Sequence, residues 1–134
     1  MTRRGWMMGI VLAGWLGWMT GNAAAIDHTT DSLDTVKKNV AAKSALLLDV
    51  REQEEWDAGH LQAARLSPLS GLKDNARLEQ MLKDLPKDKV IYAHCRSGKR
   101  CLAAGEILKA KGYDVRPLKA GYDDLVKAGF EKAK

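Results

Sequence analysis

A chain of 134 residues carrying 22 basic against 17 acidic side chains, a net charge of +5 with His neutral, is long enough for one folded domain. Without Arg3 and Arg4 the 22 basic residues fall to 20, a net of +3 against the 17 acidic ones, too mild an excess to argue for nucleic acid. Its two cysteines, Cys95 and Cys101, do not have the spacing of a disulfide-stapled miniprotein, and no second cysteine pair or nearby histidine cluster completes a zinc site, so neither metal nor other cofactor is implied.

Residues 1–25 are expected to be a secretory signal peptide. Arg3 and Arg4 make a basic start, Trp6 to Met19 is an uncharged apolar run, and Gly21-Asn22-Ala23-Ala24-Ala25 offers small residues for cleavage. The apolar run, at about 14 residues, is shorter than the roughly 20 a spanning helix needs, so no stable membrane insertion is expected after cleavage. Export places residues 26–134 in the periplasm, where disulfides can form and persist. About 109 residues then remain, enough to bury one core without disulfides or metal.

Along that domain, residues 26–32 are polar and read as a loose lead-in. Ser32 is placed to cap a helix over 33–42 in which Leu33, Val36 and Val40 share a face. Leu46 to Val50 is an unbroken apolar run, the pattern of a parallel strand covered on both faces, and Asp49 and Arg51 mark its end. Glu52 to Ala58 reads as a short helix that Gly59 terminates, with His60 just beyond. Leu66 to Leu69 reads as another short strand, and Leu78, Met81, Leu82 and Leu85 line one face of a helix that Pro86 stops. Val90 to Ala93 reads as a strand, Leu102 to Lys111 as a helix that Gly112 ends, Val115 as the last strand, and Gly121 to Ala128 as the last helix. Strands alternating with helices imply a parallel sheet with helices on both faces.

The chemistry concentrates in His94-Cys95-Arg96-Ser97-Gly98-Lys99-Arg100-Cys101. A strand that ends in a tight loop and passes straight into a helix turns backbone N–H groups inward and adds the positive end of the helix dipole, which suits an anion. Cys95 opens that loop, with Arg96, Lys99 and Arg100 close by in sequence, so its thiol is expected to ionise more readily than a free cysteine. The thiolate is the nucleophilic form. Gly98 allows the backbone to turn and approach closely, and Ser97 can add a hydroxyl donor. Arg100 has two readings, a cation for a bound anion or a tether that fixes the loop by an ion pair. His94 precedes the nucleophile and, by strand alternation, points to the other face.

The loop Cys95-Arg96-Ser97-Gly98-Lys99-Arg100 resembles the active-site loop of the rhodanese family of sulfurtransferases. Leu46-Leu47-Leu48-Asp49-Val50-Arg51, Glu55-Trp56-Asp57-Ala58-Gly59-His60-Leu61 and Ala120-Gly121-Tyr122 agree with it in order and spacing, over roughly residues 30 to 130. The resemblance implies a rhodanese-like α/β fold, a parallel sheet of about five strands with helices on both faces. It also implies that Cys95 accepts a sulfane sulfur as a persulfide. In that reading Arg96, Ser97, Gly98, Lys99 and Arg100 bind a small anionic donor such as thiosulfate, and a thiophilic acceptor, cyanide or a thiol, removes the sulfur. Asp49, Arg51 and His60 are expected to support the site, since a thiolate already ionised by its loop needs no general base. The chain resembles in particular the small exported rhodaneses akin to the phage-shock one. One stretch departs from the family: Gln62-Ala63-Ala64 stands where Pro-Gly-Ala is usual, which bears on the local turn.

Cys101 stands where rhodanese loops commonly have Ser. It reads as a small buried core residue or as a resolving thiol that attacks the Cys95 persulfide or closes a disulfide with it, which needs the two Cα atoms within roughly 7 Å. Two rival functions remain. One is a periplasmic sulfur-carrier or thiol-redox protein using both cysteines. The other, phosphatase or arsenate reductase chemistry, requires a Cys-x5-Arg loop, whereas this loop is Cys-x4-Arg and Cys101 occupies the place of that arginine. The sequence does not specify the oligomeric state, the physiological donor or the acceptor.

Overall fold

The computed structural model describes residues 25–134; apart from Ala25, the expected signal peptide lies outside them. Four strands, β1 (Ala45–Asp49), β2 (Ala64–Leu66), β3 (Val90–His94) and β4 (Asp114–Pro117), form one sheet in the order β2-β1-β3-β4, every pairing parallel. Between and around them lie α1 (Leu33–Ala41), α2 (Gln53–Ala58), α3 (Leu69–Leu72), α4 (Asn75–Leu82), α5 (Arg100–Ala110) and α6 (Tyr122–Lys127).

Side chains that alternate along β1 and β3 feed two separate cores. Leu48, Ile91, Ala93 and Cys95 pack with α3, α4 and α5 residues such as Leu72, Leu78, Ala104 and Leu108 on one face. Ala45, Leu47 and Tyr92 pack with Val36 of α1 and Leu125 of α6 on the other. Both faces are covered, which is why β1 and β3 read as continuous apolar runs. The expected capping of α1 is present: Ser32 Oγ accepts from Thr35 N–H at 3.1 Å, an arrangement that stabilises a helix by about 1 kcal/mol.

The four strands among the described residues roughly match the about five expected. At the free side of β4 the lead-in meets the chain through Thr29 N–H to Pro117 O at 2.7 Å, without forming a strand. Two other expectations need correction. The stretch Leu66 to Leu69 is not a strand: β2 ends at Leu66 because Ser67 N–H makes the last ladder bond, to Asp49 O, and Pro68 has no N–H to continue it. Its apolar residues are spent on α3, whose Leu69 and Leu72 are buried. Finally, residues 26–32 are not loose. Asp31 Oδ2 accepts from Tyr92 Oη at 2.7 Å and from Arg116 Nη1 at 2.9 Å, and Ile26 lies against Gly105 of α5.

Chain order places the site. From β1 the chain passes to β2 on one side, and from β3 to β4 on the other, so the order reverses between β1 and β3. At such a switch point the loops leaving the carboxyl ends of the strands diverge and leave a crevice. Asp49 to Arg51 leave β1 there, and Cys95 to Lys99 leave β3.

Candidate active site

Cys95 follows His94, the last residue of β3, and its own carbonyl accepts Tyr122 N–H at 2.9 Å. The strand end is held from both sides as well, by Val50 N–H to His94 O at 3.0 Å and Leu118 N–H to Ala93 O at 2.8 Å. From this fixed point the chain curls back over the sulfur. Gly98 has φ of +85°, a conformation that L side chains avoid, and it aims its N–H at Cys95 Sγ at 3.1 Å. The N–H groups of Ser97 and Cys101 also face that sulfur. Cys101 lies in the first turn of α5, where backbone N–H groups have no partner within the helix, so the sulfur takes up a donor the helix itself cannot satisfy.

These contacts bring the Cys95 pKa from 9.0 to about 5. The largest cause is the S–H of Cys101, followed among the favourable ones by the N–H groups of Cys101, Gly98 and Ser97; burial opposes them. The sequence attributes the lowering to cations and the helix dipole; in the structure hydrogen bonds come first, with Arg100 adding a Coulombic attraction to Cys95. Arg96 and Lys99 are exposed, and Arg100 is turned to Glu55. Hydrogen bonds to the charged form dominate. Cys101 Sγ itself lies 3.2 Å from Gly98 O and 3.3 Å from Leu118 O. Both sulfurs therefore attach to the backbone of the same residue, Gly98, one at its N–H and the other at its C=O. The Cys95 thiolate and burial push the Cys101 pKa far up, so Cys101 stays protonated and remains a donor.

The flanking residues divide by what they touch. Arg100 makes a two-pronged ion pair with Glu55, at 2.6 and 2.7 Å, which holds the Glu55 carboxyl at about 2. Glu55 is presented by α2, whose first turn it also closes by accepting Glu52 N–H at 2.9 Å. Of the two readings of Arg100, the geometry is that of the tether. Arg51, buried with Asp49, pairs with it at 2.8 Å, donates to Gly59 O at 2.8 Å and lies 4.2 Å from the centre of the Tyr122 ring. His60 Nδ1 sits 3.0 Å from Trp56 O, with its ring stacked on Trp56 at 3.6 Å, so it closes the end of α2 rather than facing Cys95. The turn over Gln62-Ala63-Ala64 closes by Ala64 N–H to Leu61 O at 3.1 Å, and the positive-φ residue outside glycine among the described residues is Lys43, so this turn has no need of the family's Gly.

His94 is fully buried with both ring nitrogens unpartnered, Nε2 lying 3.9 Å from Asp49 Oδ2. Burial lowers its pKa to about 4, which leaves a neutral imidazole. Cys95 has no exposed surface, and a cleft of about 210 Å³ lined by Arg51, Glu55, Arg96, Tyr122 and Asp123 opens beside its loop. A larger cleft of about 530 Å³ lies away from the loop, against Lys37, Val40 and Phe130, and has no nucleophile on its wall.

Several contacts at this site are not visible in the motifs. Glu55 as the partner of Arg100, and Gly121 packed against the Arg96 carbonyl, both belong to stretches singled out in the sequence, but nothing local reveals what they touch. His28, 2.6 Å from Gly98 O, lies in the stretch read as loose.

The comparisons with known proteins agree with this geometry. The family profile described as a rhodanese-like domain matches residues 32–128. The chain is 28% identical over 114 residues to the uncharacterized protein YqhL of Bacillus subtilis, covering 84% of this chain and 86% of that one. It is 33% identical over 113 residues to thiosulfate sulfurtransferase 18 of Arabidopsis thaliana, covering 73% of this chain and 83% of that one. The structure of the human single domain sulfurtransferase TSTD1 superposes with a TM-score of 0.58 at 28% identity, over 75% of this chain and 97% of that one. With a family match over most of its length, a parallel α/β sheet and a cysteine cradled at the switch point, the chain belongs to the rhodanese-like domain family.

Proposed function

We propose that this protein is a sulfurtransferase that carries a sulfane sulfur on Cys95, taking it from a small anionic donor such as thiosulfate and giving it to a thiophilic acceptor. The observation that carries this reading is the buried Cys95 sulfur on which Gly98 N–H lands at 3.1 Å, at the mouth of the loop that opens α5, with its pKa lowered to about 5. The Cys95 thiolate attacks the outer sulfur of thiosulfate; the S–S bond breaks, its electron pair leaves with sulfite, and a Cys95 persulfide remains. Cyanide or a thiolate then attacks the outer persulfide sulfur, and the electron pair of that bond returns to Cys95. The terminal sulfur of the persulfide inherits the negative charge, and the donors of the loop are positioned to hold it. Arg96 and Lys99, both exposed, supply positive charge where an anion must arrive. Arg100, held by Glu55, fixes the start of α5, and a Cys-x4-Arg loop whose arginine is so engaged is poorly equipped for phosphate.

Residues 1–25 support export, so the proposed compartment is the periplasm. Ile26 and His28 both contact the folded domain, and cleavage after Ala25 leaves them in place.

Intact mass of the mature protein before and after thiosulfate, and again after cyanide, tests the proposal. The expected result is a gain of about 32 Da that cyanide removes, the mark of one added sulfur. An unchanged mass with a two-hydrogen deficit sinks it, since a Cys95–Cys101 disulfide would point to thiol exchange.

The role of Cys101 gives a second prediction. With its pKa at about 5, Cys95 is thiolate at neutral pH, and loading should fall about tenfold per pH unit below that point. Cys101→Ala removes the largest favourable contact, so the midpoint of Cys95 ionisation, followed by thiolate absorbance at 240 nm, is expected to rise by at least about one pH unit. Cys101→Ser keeps a donor and should fall between the two. A Cys101→Ala midpoint equal to the parent's would remove the thiol from the account.

A further inference from the structure

We propose that His28 is a positioning residue of the sulfur cradle, holding the Gly98 carbonyl and so the backbone conformation of Gly98 that keeps its N–H on Cys95. The inference rests on the reading of Cys95 as the sulfur-carrying residue for its catalytic meaning, but the geometry stands by itself. His28 Nε2 lies 2.6 Å from Gly98 O, the carbonyl that follows, across a single Cα, the N–H that Gly98 delivers to Cys95 Sγ at 3.1 Å. A carbonyl oxygen only accepts, so this contact requires His28 Nε2 to carry the proton and donate it.

Gly98 sits between two surfaces. A Cβ built on it would meet Lys119 O at 2.9 Å and His28 Nε2 at 3.2 Å, so the backbone of Lys119 and the imidazole of His28 close on it together. Glycine at φ of +85° is the residue most free to rotate away from the conformation the cradle needs. Packing alone restricts that rotation; a short hydrogen bond to the carbonyl fixes its direction. The segment that brings His28 is anchored independently of the loop. Thr29 N–H bonds Pro117 O at 2.7 Å, and Asp31 ties to Tyr92 of β3 and Arg116 of β4. Ile26 packs at 3.0 Å from the position a Cβ on Gly105 would take, on the helix that the cradle opens into. Residues 26–31 thus form a strap from the sheet edge to the active loop, with His28 at its point of contact.

The test is the ionisation midpoint of Cys95 in the mature protein, read at 240 nm, for the parent, His28→Leu and His28→Gln. Glutamine can place an N–H donor near the position of Nε2, whereas leucine fills space and donates nothing. We expect His28→Leu to raise the midpoint by about one pH unit and His28→Gln to restore most of it. A His28→Leu variant that melts lower but ionises at the parent's pH makes the strap merely structural and overturns the proposal. Should His28→Leu fail to fold, ring nitrogen shifts of His28 in the parent decide: the Nε2–H tautomer is required, and an unprotonated Nε2 overturns it. Neither readout involves a sulfur donor. A parent protein that shows both effects yet gains no sulfur from thiosulfate would keep the positioning role and sink the sulfurtransferase reading.

Discussion

Cys95→Ser is expected to remove the sulfur-dependent mass gain completely and to lower thiosulfate turnover by roughly 10⁴-fold or more. The chemical reason is direct. A serine hydroxyl is not ionised by contacts that bring a thiol to about pH 5, and it cannot form the S–S bond in which the transferred atom is carried. The same substitution has a second signature that needs no substrate. The Cys95 thiol goes from 9.0 to about 5 on folding. A lowered acid pKa means that ionisation stabilises the folded state, fully above 9.0, decreasingly as pH falls, and not at all below about 5. The parent should therefore gain melting temperature from this group across that window, and Cys95→Ser should lack the gain. Cys101, pushed upward, opposes stability only above its own unfolded pKa and leaves the window undisturbed. Parallel melting curves against pH for parent and variant would show that Cys95 is not a thiolate in the folded protein.

How much of this site the sequence reveals depends on how far apart the contacting residues lie. Cys95, Ser97, Gly98 and Cys101 fall within seven consecutive residues, between an apolar strand and a helix start, so the cradle is visible as a local pattern. The source of the thiolate's stability is less visible. Charges beside Cys95 in sequence suggest Coulombic help, yet side chains on a tight loop leave in different directions, and Arg96 and Lys99 end in solvent. Arg100 meets Glu55 across 45 positions, and His28 meets Gly98 across 70. No periodicity encodes such pairings.

The fold shows the same division. β1, β3 and α5 are legible because burial on both faces, or on one helical face, dictates their residue pattern. Leu66 to Leu69 misleads because a short apolar run fits a strand and a buried helical turn equally, and Pro68, with no N–H for the ladder, decides it. The polar lead-in misleads for the opposite reason. Its hydrophilic residues look solvated, but Asp31 is spent on Tyr92 and Arg116, which together hold its carboxyl below the usual range.

Gly121→Ala should be the most damaging small substitution outside the loop. Gly121 has ordinary φ, −83°, so its reason is space rather than conformation. A Cβ there would fall inside the van der Waals radius of the Arg96 carbonyl oxygen and 2.7 Å from the Arg96 carbonyl carbon. These are backbone atoms that cannot rotate aside. Either the loop moves outward or the start of α6 does, and both routes strain Tyr122 N–H to Cys95 O, at 2.9 Å, the bond that fixes the nucleophile's own backbone. Overpacking of this kind costs about 1–3 kcal/mol, which for a domain of this size corresponds to a fall in Tm on the order of 10 °C. The effect on chemistry should be larger than the effect on stability. Moving Arg96 displaces the Ser97 and Gly98 N–H groups that follow it, so persulfide loading is expected to drop by about 100-fold even where the protein stays folded. Gly112→Ala separates the two effects. Gly112 has φ of +92° and ends α5 far from the sulfur, with Lys87 Nζ at 3.8 Å as its nearest obstacle, so alanine there should lower Tm without slowing loading. If Gly121→Ala loads sulfur as fast as Gly112→Ala at the same fraction folded, the contact between Gly121 and the Arg96 carbonyl is not what holds the cradle in register.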